Sequence, residues 1–331
     1  MNNEIVKVLR IVKRINLNAT KILDNKDFIT EINNTIEPDK FNRKAIPAII
    51  DWKNDIIFLS DTANDEEIEK IPFFYQWQRG NIKELYSIPF SQYRKINIEK
   101  KSVKPFFVFS IGRCGSTLLV NLCKSLGKKT ISEPDYLADI KNRICENQTK
   151  ENISRILQWN TNLFSDLFGK TPLIKLRGSS INDIEIFVDT FPDSQYIFML
   201  REPIAWAKSN MKAFNDSPKE LAEYLKQGVE SYDKFIQLGI KPNLIWYEDL
   251  VNDPSETLQS IFNDSSLINS KKEMILEVMS KDSQEGSSIS QGQLAKIELK
   301  SEFLDSFKQH WINICPIEII EKYKLQRLII V

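Results

Sequence analysis

One stretch constrains the fold more than any other. Phe106-Phe-Val-Phe-Ser-Ile111 is a short, nearly continuous apolar run, and Gly112-Arg-Cys-Gly-Ser-Thr117 follows without a break. Leu118, Leu119, Leu122, Cys123 and Leu126 then recur at helical spacing, with Gly127 as a stop. The apolar run is the pattern of a strand buried on both faces of a parallel sheet. The stripe behind it is an amphipathic helix closed by glycine. The unit reads strand, glycine loop, helix. Such a loop is built to receive an anion, because the free N–H groups of the first helical turn converge there and the helix dipole favours negative charge. Gly112 and Gly115 let the backbone approach closely, Arg113 adds a fixed positive charge, and Ser116 and Thr117, beyond Cys114, add hydroxyl donors. A tight turn without a ligand shares the glycines. The ATPase form G-x-x-x-x-G-K-[ST] fails here, because Ser116 follows Gly115 and no glycine stands five residues upstream.

Further strands are predicted at Leu173–Leu176, Tyr196–Leu200 and Leu244–Tyr247, with helices at 181–190, 203–214 and 219–238. Alternating strands and helices imply an α/β fold with a mainly parallel sheet and right-handed crossovers. In Phe191-Pro-Asp-Ser-Gln-Tyr-Ile-Phe-Met-Leu-Arg201, an arginine stands at the carboxyl end of a strand, where open α/β sheets bind ligands. Ser209 follows eight residues later in the helix that Pro203 begins. Arg201 and Ser209 are candidates to hold a second phosphate; a capped helix with a surface arginine is the plainer alternative.

The remaining organisation reads as a helical N-terminal region over residues 1–100 and an α/β core over 101–331. The C-terminal segment after Pro254 is mostly helical, with a polar loop at Asp282–Gln293. Ile5, Val8, Leu9, Val12 and Ile15 fall on one helical face, read as a helix docked on its own domain rather than a membrane-surface or transit segment. The acidic run Asp61, Asp65, Glu66, Glu67, Glu69 reads as a solvated stretch, as does the basic patch Arg94, Lys95, Lys100, Lys101, Lys104. The aromatic run Phe73-Phe-Tyr-Gln-Trp lines a pocket or packs.

Charge narrows the function. Lys and Arg total 45 and Asp and Glu total 45, so the chain is neutral overall, which argues against a general nucleic-acid binder. Its 42% hydrophobic content excludes disorder. The four cysteines form no C-x-x-C pair, and with His310 the single histidine no usual zinc site is expected. His310 itself reads as an ordinary helix residue. No apolar run reaches the length of a membrane span, charges interrupt the N-terminus where a signal peptide would be apolar, and a cytoplasmic setting is expected.

Taken together, the motifs resemble the sulfotransferase family, which uses 3′-phosphoadenosine-5′-phosphosulfate (PAPS). FFVFSIGRCGSTLL is similar to the family's 5′-phosphosulfate loop. FPDSQYIFMLREPIAWAKSN is similar to its 3′-phosphate motif, and LIWYEDLVNDPSETL to the strand and turn that follow. The likeness spans roughly residues 104–263; residues 1–100 and the C-terminal helices match no known pattern. The resemblance implies a P-loop-like parallel sheet flanked by helices. It implies that Gly112, Arg113, Cys114, Gly115, Ser116 and Thr117 cradle the 5′ side of PAPS, and that Arg201 and Ser209 bind the 3′-phosphate. The family's C-terminal cofactor loop would correspond to Asp282–Gln293.

One departure matters. Many members carry Lys-x-His after a central strand, with histidine as the base. Here the stretch is Ile174-Lys175-Leu176-Arg177, and arginine cannot serve as a base at neutral pH. Ile131-Ser-Glu-Pro-Asp135 resembles the turn that carries a glutamate base in tyrosylprotein-type and related bacterial members. Glu133 is therefore the candidate base and Asp135 the second, while Glu133 as an ion-pair partner of Arg113 or Arg177 stays open. Arg113, with Lys175 or Arg177, would stabilise the charge growing on the leaving 5′-phosphate. A sulfuryl group carries less charge than a terminal phosphate, so no metal is expected. The implied activity is transfer from PAPS to a hydroxyl, or less readily an amine, of a small molecule, with adenosine-3′,5′-bisphosphate as product and natural-product tailoring as the setting. A small-molecule kinase of similar architecture and a non-catalytic nucleotide-binding protein are the alternatives. Oligomeric state is not legible.

Overall fold

The computed structural model describes residues 5–16, 21–41, 44–61, 68, 71, 73–96, 104–169, 171–283, 291–297 and 301–330. In chain order the strands and helices are β1 (Val6–Arg14), β2 (Phe28–Ile36), β3 (Ala45–Asp51), β4 (Ile56–Asp61), α1 (Phe74–Asn81), β5 (Glu84–Pro89), β6 (Phe106–Ser110), α2 (Ser116–Ser125), β7 (Thr130–Ser132), α3 (Ile140–Arg143), α4 (Lys150–Phe168), β8 (Leu173–Lys175) and α5 (Ile184–Thr190). They continue with β9 (Gln195–Leu200), α6 (Pro203–Phe214), α7 (Pro218–Gln237), β10 (Asn243–Trp246), α8 (Tyr247–Asn252), α9 (Pro254–Phe262), α10 (Ser265–Ser270), α11 (Lys272–Met279), α12 (Gln291–Leu294), α13 (Ser301–Ile314) and α14 (Ile317–Lys322). The chain divides into two units, one of residues 1–106 and 129–194, the other of residues 107–128 and 195–331.

The first unit corrects the expectation of a helical N-terminal region. Residues 6–89 build a five-stranded antiparallel sheet in the order β2-β1-β5-β4-β3, with α1 as the helix inserted before β5. The apolar residues of β1 suit either period on paper. In the strand, Val6 and Val8 alternate into the core, while Val12 and Ile15 are 53% and 61% exposed. Four of the nine residues of β1 are β-branched, which favours a pleated strand, and β1 is paired on both sides, by β2 and by β5. Leu23, Phe28, Ala48, Ile49, Phe58, Ile82 and Leu85 pack into one apolar cluster of this unit. The same unit contains the parallel pair β7 and β8, with Thr130 opposite Leu173 and Ser132 opposite Lys175.

The second unit holds the strand-loop-helix read from the sequence. Its strands run β10-β9-β6, with β10 parallel to β9. Phe107, Val108 and Phe109 have no exposed surface, as a strand covered on both faces requires. Phe235 of α7 meets Phe109 edge-on at 5.1 Å, and Gly228 of the same helix lets Ile111 come so close that a Cβ there would lie 2.3 Å from its Cγ2. The helix is thus seated against the very end of β6, where the glycine loop starts. After Pro254 the described residues are mainly helical, as expected. Residues 284–290 of the Asp282–Gln293 loop, Lys100 and Lys101 of the basic patch, and Asp65, Glu66, Glu67 and Glu69 of the acidic run lie outside the described residues. No helix among the described residues is long and apolar enough to cross a membrane.

In the first unit the Asp183 carboxylate accepts the N–H groups of Ile140 at 2.9 Å and Lys141 at 2.8 Å, closing the start of α3. Burial nonetheless pushes its carboxyl up to about 6. A carboxyl raised above its unfolded value keeps a proton that the unfolded chain has already lost, so stability falls as pH rises through that window. Asp183→Asn should abolish this slope. Chemical unfolding of both proteins from pH 4 to 6.5 should show the variant gaining roughly 1–3 kcal/mol on the parent across that range. Parallel pH profiles would contradict the assignment.

Candidate active site

In the second unit, the loop between β6 and α2 takes a conformation that few sequences tolerate. Gly112, Arg113 and Gly115 all have positive φ, at 69°, 53° and 80°. Gly115 is also the N-cap of α2 and brings no side-chain oxygen to it, so the first-turn N–H groups point out of the helix end without a capping partner from that residue. Its hydrogen is required twice over. Besides the positive φ, a Cβ at Gly115 would lie 2.5 Å from Cδ2 of Tyr247. At Gly112 a Cβ would meet nothing within 4 Å, so the loop opens into free space there. Cys114 is fully buried and burial raises its thiol pKa, which leaves it a packing residue in the loop. Ser116 and Thr117 begin α2 almost buried, with Ser110 and Ser116 hydroxyls 3.5 Å apart.

Two arginines meet on this loop. Arg113 Nε donates to Ser209 Oγ at 3.0 Å, which joins the glycine loop to α6. Arg201, just past the end of β9, donates from its NH1 to the Arg113 carbonyl at 3.1 Å. Trp206 Nε1 donates to the Gly112 carbonyl at 3.0 Å, fixing the loop from the same helix as Ser209. The Arg201 guanidinium lies over the Tyr247 ring, 4.0 Å from its centroid, and its Nε is 4.0 Å from Glu248 Oε1. Burial, with Arg201 as a like-charged neighbour, lowers the pKa of Arg113. Loop, arginine and serine are therefore one cluster, as the spacing of their motifs predicts. Tyr247 and Glu248 are the members that sequence reading missed. They stand in LIWYEDL, where the strand β10 ends and α8 starts, but nothing in that segment announces which loop they touch.

The first unit carries the other predicted residues. Glu133 follows β7 with a positive φ of 58°, and its N–H donates to the Lys175 carbonyl at 2.6 Å, extending the β7–β8 ladder by one bond. Its carboxylate pairs with the Lys175 ammonium, whereas the expected alternatives were Arg113 or Arg177. Lys175 is nearly buried and Glu133 is 16% exposed, so the carboxylate is the more accessible member of the pair. Arg177 instead pairs with Asp135 at 2.8 Å and lies 4.4 Å from the Tyr75 ring centroid. Asp135 has no exposed surface and also accepts the Leu23 N–H at 2.8 Å. Burial raises its carboxyl pKa against the pull of Arg177. Both of its oxygens are engaged inside the protein, and Asp135 braces Arg177. Tyr75 and Phe73, whose ring lies 5.6 Å from Lys175 Nζ, give the aromatic run a place beside these ion pairs. His310 is half-buried on α13.

No protein-family model matches the chain, and no curated protein sequence does. Solved structures similar to it include the sulfotransferase STF9 from Mycobacterium avium, 12% identical, covering 66% of this chain and 78% of that one. Another is a sulfotransferase from Alicyclobacillus acidocaldarius, 11% identical, covering 67% of this chain and 96% of that one; the TM-score is 0.41 for each.

The loop geometry generates a test. Gly115→Ala should cost roughly 2–4 kcal/mol of stability, from the positive φ and the contact with Tyr247 together. Adding Tyr247→Ala should make the two effects non-additive by about 1 kcal/mol or more, read from a double-mutant cycle of denaturant midpoints. Strict additivity would mean that ring and loop are not in contact.

Proposed function

We propose that this chain is a sulfotransferase that moves the sulfuryl group of PAPS to a hydroxyl, or less readily an amine, of a small-molecule acceptor. The observation that carries the reading is the meeting of Arg113, Arg201 and Ser209 on one glycine loop of the second unit, through contacts of 3.0 and 3.1 Å. A loop alone suits many anions. A loop with two guanidiniums and a hydroxyl suits a ligand with two separate anionic groups. The residues also fit by what they leave open: the Arg201 side chain keeps 19% of its surface exposed, and the loop is open at Gly112. A phosphate oxygen is an acceptor that a guanidinium binds strongly.

On this reading the N–H groups and hydroxyls of residues 112–117 hold the 5′ side of the nucleotide, and Arg201 and Ser209 hold its 3′-phosphate. When bound, PAPS supplies an activated sulfuryl group and a leaving group that departs as adenosine-3′,5′-bisphosphate. Arg113 sets a positive charge at the loop that receives the leaving phosphate, and Lys175 or Arg177 is assigned the same electrostatic role. Glu133 is the base that takes the acceptor's proton. Its pairing with Lys175 supports this, because the ammonium fixes the direction of a carboxylate that keeps part of its surface exposed.

Release of adenosine-3′,5′-bisphosphate from PAPS, followed over a panel of hydroxyl and amine acceptors, tests the reading. Acceptor-dependent release is the expected result. Binding of the bisphosphate without release under any acceptor would make the chain an inert nucleotide binder, and binding of Mg·ATP in preference to the bisphosphate would make it a kinase. Glu133→Gln should lower kcat by about 10²-fold or more while the dissociation constant for the bisphosphate stays within about twofold. Unchanged turnover would remove Glu133 as the base.

A further inference from the structure

Three contacts hold Arg201: the Arg113 carbonyl from the glycine loop, and the face of Tyr247 and the carboxylate of Glu248, neighbours at the start of α8. The third is unusual. Glu248 Oε1 accepts the Glu202 N–H at 3.3 Å and stands 4.0 Å from Arg201 Nε, while its other oxygen, Oε2, is buried with no partner. Arg201 Nε is likewise buried and unpartnered. Burying an unsatisfied carboxylate oxygen is costly. The nearby guanidinium is the countercharge that offsets it.

We infer that Glu248 is a positioning residue that holds the Arg201 guanidinium in place for a phosphate on the ribose 3′ side. Its charge thereby sets how well the site distinguishes 3′-phosphorylated from 3′-unphosphorylated adenosine nucleotides. This rests on the proposed function for the identity of the ligand, but not for the tether itself. Glu248 does not touch the anion; it acts through Arg201. Tyr247 restrains the plane of the guanidinium, and Glu248 restrains its rotation by drawing Nε to one side.

Glu248→Gln is the discriminating variant, because glutamine keeps the volume and the acceptor for the Glu202 N–H while it removes the charge and turns the unpartnered Oε2 into an amide NH2. Titration calorimetry on the full chain should show adenosine-3′,5′-bisphosphate weakened about tenfold and adenosine-5′-monophosphate changed by less than about twofold. An unchanged ratio, or equal weakening of both, would overturn the inference, since a merely structural role moves both alike. A ligand-free measurement separates this inference from the functional reading. In ¹⁵N-arginine spectra, with Arg201→Lys assigning the signal, the Arg201 Nε–H should exchange with water several-fold faster in Glu248→Gln than in the parent. If the parent binds no bisphosphate yet that exchange accelerates, the functional reading fails and the tether stands. If the exchange rate is unchanged, the tether fails whatever the nucleotide does.

Discussion

Two like charges held together on one loop are the constraint from which the second unit is best understood. Burial, with the Arg201 guanidinium alongside, disfavours the charge of Arg113. The countercharges nearby, Glu248 and Asp282, are carboxylates placed on other segments. Bringing two guanidiniums to a helix N-terminus that already favours anions makes sense when an anion is the intended occupant. The rest of the unit serves that placement. Gly228 seats α7 against the end of β6, Trp206 ties α6 to the Gly112 carbonyl, and Gly115 leaves room for the ring on which Arg201 lies.

The first unit repeats the theme with compensated charges. Glu133 with Lys175 and Asp135 with Arg177 are opposite-charge pairs set side by side on adjoining segments after β7 and in β8. Removing one member of such a buried pair leaves the other uncompensated, so each fixes its partner's position. The two carboxylates differ in access. Asp135 is sealed, whereas Glu133 sits in a strained turn with part of its carboxylate at the surface. Environment, not residue type, separates a brace from a candidate base.

How far the sequence foretells this depends on the range of the interaction. The strand-loop-helix at 106–127 is legible because its apolar run, glycines and helical stripe are local and adjacent, and the end of α2 at Gly127 follows from its positive φ. The joining of Arg113 with Arg201 and Ser209 has no local signal; it is seen in the contacts that bring the three together. The N-terminal sheet is not legible, since apolar residues of β1 fit a helix as well as a strand until the pairing with β2 and β5 decides. Tyr247 and Glu248 escape for a related reason. Their importance lies in a contact with a distant loop, which no local pattern encodes.

On the proposed reading, one adenosine nucleotide with phosphates at both the 5′ and 3′ positions fits the loop and the arginine-serine pair of the second unit. A crystal structure of the full chain grown with adenosine-3′,5′-bisphosphate tests it most directly. The 5′-phosphate is expected against the N–H groups of residues 112–117 and the 3′-phosphate within hydrogen-bonding distance of Arg201 and Ser209. A nucleotide lodged elsewhere, or a 3′-phosphate turned away from both residues, would contradict it.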